Sequence, residues 1–162
     1  MKHAIATTLL SAIAVSALAH QDMRLSLAED GRLRELPAQY SVTRMEIEFS
    51  PEGAGRLRRL SFLSAGRKTV VKQCLLDLVP SGSLSRTSLA GSWYHEERYL
   101  PHYVYVLFRD LPEPASYAEE PGVQFLFSLR DGRLLEVTKI VPLIPGQYVQ
   151  RQEVKLSNGC PI

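Results

Sequence analysis

Residues 123–137 read Val-Gln-Phe-Leu-Phe-Ser-Leu-Arg-Asp-Gly-Arg-Leu-Leu-Glu-Val. Val123, Phe125, Phe127 and Leu129 alternate with mostly polar neighbours, which puts one apolar face on a β-strand. Asp131-Gly132 is a turn signal, and a second apolar run follows it. A three-residue loop with Gly132 in the left-handed region sets Phe125 opposite Val137 and Phe127 opposite Leu135. A two-residue loop would place Phe127 opposite Glu136, so burial selects the longer one. This hairpin, at about 123–141, predicts an antiparallel sheet.

The same chemistry recurs upstream. Leu25-Ser-Leu27, Glu29-Asp30-Gly31 and Arg32-Leu33 predict a smaller hairpin at about 25–36, and the string Asp-Gly-Arg-Leu-x-Glu begins at both Asp30 and Asp131. Further strands are expected at Val42–Phe49, with Met45, Ile47 and Phe49 on one face, at His102–Phe108, with Val104, Val106 and Phe108 on one face, and at Tyr148–Leu156. The Ser/Gly-rich stretch Ser81–Ser92 and the Pro/Glu-rich stretch Leu111–Gly122 read as loops.

One helix is expected among the strands, over about 51–65. Ser50 is a good N-cap, Pro51 suits the first helical position, and Glu52 suits the helix dipole. Ala54, Leu57, Leu60 and Leu63 recur every three residues, and Gly66 fits the position after the last turn. Gly53 and Gly55 weaken it by about 1 kcal/mol each. The expected class is therefore α+β, mainly antiparallel sheet with one packed helix.

The N-terminus reads as an address. Met1-Lys2-His3 precedes an unbroken apolar and small run from Ala4 to Ala19, ending Ala17-Leu18-Ala19. That is a secretory signal, with cleavage expected between Ala19 and His20. The remainder, 20–162, has the length of a single domain. A periplasmic or secreted location follows as an expectation. Two cysteines, Cys74 and Cys160, then pair in an oxidising compartment as one structural disulfide.

The full chain carries a net charge of +2, with 19 Lys+Arg against 17 Asp+Glu. That balance excludes a strongly basic nucleic-acid binder. No nucleophile elbow, P-loop or dinucleotide fingerprint is present. His95-Glu96-Glu97-Arg98-Tyr99 fails as a zinc-protease motif because Tyr99 stands where the second histidine belongs. His20, His95 and His102 have no metal-ligand spacing. The reading is non-catalytic, with no metal and no cofactor.

Two features suggest partner contacts. Arg56, Arg58, Arg59, Arg67, Lys68 and Lys72 form a basic stretch, with Arg56 and Arg59 the candidates on a helix face; an anionic membrane surface is a weak second use of it. Trp93, Tyr94, Tyr99, Tyr103, Tyr105 and Phe108 concentrate the aromatics. If Val104 and Val106 are core, Tyr103 and Tyr105 point away from it. Tyr and Trp are enriched in protein interfaces, so Trp93, Tyr103 and Tyr105 are the other candidates.

The run Ile47-Glu-Phe-Ser-Pro-Glu-Gly-Ala-Gly-Arg-Leu57 resembles the strand-to-helix step in the head of the first periplasmic domain of SecD-type export proteins. Glu52-Gly53-Ala54, Leu57, Leu60, Ser61 and Gly66-Arg67 fall at the family spacing, whereas the family's following Asp-Gly is missing. The likeness extends over about 42–80, before a β-rich part at about 93–160. It implies a helix packed on a sheet, and a module that touches protein or unfolded polypeptide rather than one that catalyses. A secreted inhibitor or immunity protein acting on a cell-envelope enzyme is the alternative binding role. A small secreted hydrolase is the catalytic one.

Overall fold

The computed structural model describes residues 23–51, 55–93, 102–110, 121–144 and 148–162. The expected signal segment and cleavage site lie outside them, as do His20, His95 and most of the 111–122 loop. In chain order the strands are β1 (Met23–Arg24), β2 (Arg44–Phe49), β3 (Leu57–Ser64) and β4 (Arg67–Val70), followed by a one-turn helix α1 (Gln73–Leu76). Then come β5 (Thr87–Ser92), β6 (Tyr103–Arg109), β7 (Gly122–Ser128), β8 (Leu134–Ile144), β9 (Tyr148–Glu153), β10 (Leu156–Ser157) and β11 (Cys160–Pro161). All pairings are antiparallel. β1-β5-β6-β7-β8-β9 form a large sheet, β2-β3-β4 a small one, and β10-β11 a short ribbon. Among the described residues, no helix is long and apolar enough to cross a membrane.

The two main sheets share one core, as face-to-face sheets do. Met45, Leu60 and Phe62 of the small sheet and Val104, Val106, Phe108, Phe125, Phe127 and Val137 of the large one belong to a single buried cluster. The Phe62 and Phe127 rings stack across the seam with centroids 4.8 Å apart, and Phe49 meets Phe108 edge-on at 6.0 Å.

The expected helix at 51–65 is not formed. Leu57–Ser64 is β3, the central strand of the small sheet, and the described helix of the chain is the single turn α1. The reason is a competing period. Leu60, Phe62 and Ser64 turn to one side as a repeat of two, while on the other side Arg59 is exposed, Ser61 is buried against Glu46 and Leu63 is half-buried. Ala65 and Gly66 both take positive φ, 49° and 75°, in the two-residue loop joining Ser64 to its partner Arg67. A helix end and a tight hairpin both call for a left-handed glycine, which is why Gly66 supported either reading. The strand-to-helix step on which the SecD likeness rests is thus a strand-to-strand hairpin, closed by Ser50 N–H on the Arg56 carbonyl at 2.7 Å.

The 123–141 hairpin forms as β7–β8, with Phe125 opposite Val137. Phe127 pairs with Leu134 rather than Leu135, because a bulge takes up one residue and leaves Leu135 exposed. Gly132, at φ 69°, sits against the β3–β4 turn. A Cβ there would lie 2.8 Å from the Arg67 carbonyl oxygen and 2.9 Å from that of Ser64. Thr69 Oγ1 donates to the Gly132 carbonyl at 2.7 Å and Ser64 Oγ to that of Leu129 at 2.7 Å, so this contact is both tight and hydrogen-bonded.

The 25–36 segment is a narrow turn with Leu27 bridged to Leu33. Its Asp-Gly-Arg string makes the same local bonds as its later copy. Asp30 accepts from Arg32 N–H at 3.1 Å and from Arg32 Nε at 2.6 Å; Asp131 accepts from Arg133 at 3.2 and 2.6 Å.

Part of the Ser81–Ser92 stretch, expected as loop, is strand β5, paired on both sides. Its small residues answer to crowding: a Cβ on Gly91 would lie 2.6 Å from the Tyr103 carbonyl oxygen and 3.2 Å from the Trp93 ring. Cys74 of α1 and Cys160 of β11 are disulfide-bonded with Cα atoms 5.7 Å apart, tying the C-terminal ribbon to the body.

Candidate functional site

One face of the large sheet packs on the small sheet, and the other buries Ala90, Leu107, Gln124, Thr138 and Ile140. Val104 and Val106 of β6 are fully buried on the first, so Tyr103, Tyr105, Leu107 and Arg109 project to the other side. On β7 the same alternation turns Gln124 and Leu126 outward, opposite Phe125 and Phe127. These residues line a groove of about 1070 Å³ along the outer face of the sheet, its floor residues Ala90, Leu107, Gln124 and Ile140 buried and Tyr103 and Tyr105 half-buried.

Strand register lays the groove out in rows, with neighbours about 4.8 Å apart. One row runs Arg24, Ala90, Tyr105, Leu126, Glu136. It sets a cation and a carboxylate at opposite ends of an apolar and aromatic floor, roughly 19 Å apart over four strand spacings. The next runs Ser88, Leu107, Gln124, Thr138, Glu153. A third runs Arg109, Gly122, Ile140, Arg151. The floor is recessed because β5 contributes short side chains there, Ser88 and Ala90, while β6 contributes the tyrosines. Arg109 Nε donates to the Arg86 carbonyl at 2.9 Å, and Arg151 Nη2 donates to Gln124 Oε1 at 3.3 Å, which holds two of the arginine heads in place.

The five expected contact residues do not share a surface. Tyr103 and Tyr105 line the groove, as half-buried side chains. Trp93 is half-buried against the core cluster and is not among the residues lining the groove. Arg56 and Arg59 belong to the small sheet and its hairpin loop, across the sandwich from the groove. The basic helix face expected of them is corrected with the helix itself. On the sheet, acidic residues of β2 and α1's cap stand against the basic stretch: Arg59 with Glu48 at 3.5 Å, Lys68 with Glu46 at 2.9 Å, Arg56 with Asp77 at 2.5 Å. No acid separates these basic residues in sequence, yet the neighbouring strand supplies them.

Among the described residues, four carboxylates are held below their ordinary range, and none of them lies in the groove: Asp30, Glu46, Asp77 and Asp131. For Glu46 the first cause is the hydrogen bond from Lys68, followed by that from Ser61. A depressed carboxylate stabilises the fold above its ordinary value, here 4.5, and loses that contribution as pH falls through its folded value. Glu46→Gln should therefore lower stability at pH 7 by no more than about 1 kcal/mol, since the pair is exposed and screened. The gap from the parent chain, read as melting temperature, should close as pH is taken below 4.5 toward the folded value. A gap that persisted at the acid end would rule out the ion pair as its cause.

His102 Nδ1 and Tyr40 Oη are hydrogen-bonded at 2.5 Å, with their rings edge-on at 5.8 Å. Among the described residues, no group of three or more His, Cys, Asp or Glu side chains is placed to hold a metal ion.

Compared with protein-family models, with curated proteins and with solved structures, the chain matches none. The groove therefore stands on its own chemistry. It presents guanidinium and hydroxyl donors, a carboxylate, an amide and apolar patches, a mixture suited to holding a polypeptide surface.

Sequence reasoning found the two tyrosines and missed Arg24, Arg109, Gln124, Leu126 and Arg151. The signal for three of these was present. Once Val104/Val106 and Phe125/Phe127 are taken as core, the same alternation places Arg109, Gln124 and Leu126 beside Tyr105. Arg24 and Arg151 required knowledge of which strands are the sheet's two edges, which alternation does not carry.

Proposed function

We propose that the protein is a non-catalytic binding module that acts outside the cytoplasm and takes a protein partner in the groove of the large sheet. The observation that carries this reading is the pairing of Tyr103 and Tyr105, half-buried on the outer face, with the recessed floor and arginine heads around them. Tyrosine flanked by arginine is the composition that dominates binding energy in protein interfaces. The extracytoplasmic part is supported by the Cys74–Cys160 bridge, a bond that persists in oxidising compartments, together with the basic-then-apolar N-terminal run. The SecD likeness lends no weight, since its helix is a strand. A secreted inhibitor or immunity protein is the second reading, fitted by the small size, the single disulfide and the lack of a catalytic signature; a protruding tip on the 111–122 loop, most of which lies outside the described residues, would favour it.

The test is capture from cell-envelope extract by the oxidised protein. A stoichiometric protein partner is expected. Tyr103→Ala/Tyr105→Ala, with its melting behaviour checked, should weaken that complex at least about thirtyfold, because a central aromatic contact is worth 2 kcal/mol or more. Arg56→Ala/Arg59→Ala should leave it within about twofold. Equal binding by the tyrosine variant would overturn the assignment of the groove. Turnover of a small substrate by the pure protein would overturn the non-catalytic reading.

A further inference from the structure

The large sheet ends at β9, and among the described residues nothing pairs with the outer edge of that strand. Its backbone orientation follows from two facts. Val154 N–H bonds the Val137 carbonyl at 2.8 Å, and the register then makes Gln152–Lys139 and Gln150–Val141 the hydrogen-bonded pairs with β8. Pro142, which has no N–H to give, stands opposite Val149 at a position where none is needed toward β9. Val149, Arg151 and Glu153 therefore direct their N–H and carbonyl groups away from the sheet. An edge of this kind is a template for another strand, which proteins commonly block with charge.

Here the charges suit a second copy of the same strand. A two-fold antiparallel β9–β9 ladder must set outward-facing residues against outward-facing residues, so its axis passes through a single residue position. An axis at Arg151 opposes arginine to arginine. An axis at Glu153 opposes glutamate to glutamate and Arg151 to Lys155. An axis at Gln150 opposes Arg151 to Val149. An axis at Gln152 alone opposes Arg151 to Glu153 of the second copy, twice. Opposite charges across a ladder stabilise it and like charges destabilise it. We propose that two copies of this chain join edge to edge through β9 with the two-fold axis at Gln152.

The joined sheet is continuous across both copies, its main-chain bonds exchanged by the two Arg151–Glu153 pairs. The ladder stops at Lys155, whose carbonyl already accepts Ile162 N–H at 3.1 Å. Arg151 keeps its bond to Gln124, since a guanidinium has five N–H donors. Glu153 of the second copy then stands at the end of each groove. Arg151 belongs to both the edge and the groove, so the association is read by sedimentation and not by partner capture.

Sedimentation velocity on the oxidised full chain at about 0.1 mM should show a dimer that weakens with salt. Arg151→Glu alone and Glu153→Arg alone should each sediment as monomers, with dimerisation weakened at least about tenfold. An equimolar mixture of the two should recover a dimer, because one copy then offers two acids and the other two arginines. In the Gln152 register the two Gln152 Cα atoms are about 4.5 Å apart, within disulfide reach. Gln152→Cys should therefore cross-link to itself, and Gln150→Cys should not. A monomer at every concentration overturns the proposal. So does a dimer indifferent to both charge reversals, or one in which Gln150→Cys links and Gln152→Cys does not. If the charge variants fail to fold, the cysteine pair decides the register alone.

Discussion

Phe62→Ala is expected to lower the melting temperature by about 10–15 °C, the largest effect of any single truncation argued from this fold. Phe62 is fully buried, lies on the central strand of the small sheet, and stacks on Phe127 of the large one at 4.8 Å. Removing a buried phenylalanine ring costs about 3–5 kcal/mol, partly as lost transfer energy and partly as the cavity left behind. The site has little freedom to collapse. Ser64 and Thr69 bond the β7–β8 turn on one side, and Phe49 already occupies the seam against Phe108 on the other. Had residues 51–65 been a helix with Leu57, Leu60 and Leu63 as its inner stripe, Phe62 would have faced solvent. Its truncation would then have been nearly silent, so thermal unfolding of this variant also discriminates the two readings of the segment.

Breaking the Cys74–Cys160 bond, by Cys74→Ser/Cys160→Ser or by reduction, should cost about 4–5 kcal/mol in the chain-entropy model, because the bond joins residues 86 apart. The loss should be uneven. β10 and β11 form a two-stranded ribbon with exposed Leu156 and Ile162, and such a ribbon is marginal by itself. It is held by the disulfide and by Lys72 Nζ donating to the Asn158 carbonyl. Hydrogen exchange after reduction should rise first and most over 156–162, while the amides of β6 and β7 stay protected until global unfolding. An unchanged melting temperature, or uniform loss of protection, would contradict this account of the bridge.

How much of this was legible in the sequence depended on whether one period dominated. The β7 pattern had a single reading, because Val123, Phe125, Phe127 and Leu129 alternate without interruption, and all four are buried. Its pairing slipped by one residue at Leu135, since a bulge is chosen by the partner strand's packing and not by the strand's own pattern. The 57–64 segment carried two periods at once. Leu57, Leu60 and Leu63 supported a helix while Leu60, Phe62 and Ser64 supported a strand, and the flanking Ser-Pro and Gly66 suit either element. Tertiary pairing with β2 and β4 decided it.

β5 was hidden for a different reason. Ser88, Ala90 and Gly91 look like loop chemistry, yet small side chains are what the crowded ground between Trp93 and the Tyr103 backbone admits. The groove inherited these limits. Tyr103 and Tyr105 were found from local alternation, while the arginines of the edge strands join them only through long-range pairing. The basic stretch does not lie on a helix face, and its acidic counterparts Glu46 and Glu48 come close through the β2–β3–β4 pairing rather than along the chain.

The central claim is that the outer face of the large sheet, and not the charged side of the small one, meets the partner. The most direct measurement places a photo-crosslinking side chain at Tyr105 in one variant and at the exposed Val70 of the small sheet in another, and irradiates each in envelope extract. A single cross-linked protein band from position 105 and none from position 70 is the predicted result. The same band from position 70, with none from position 105, would contradict it.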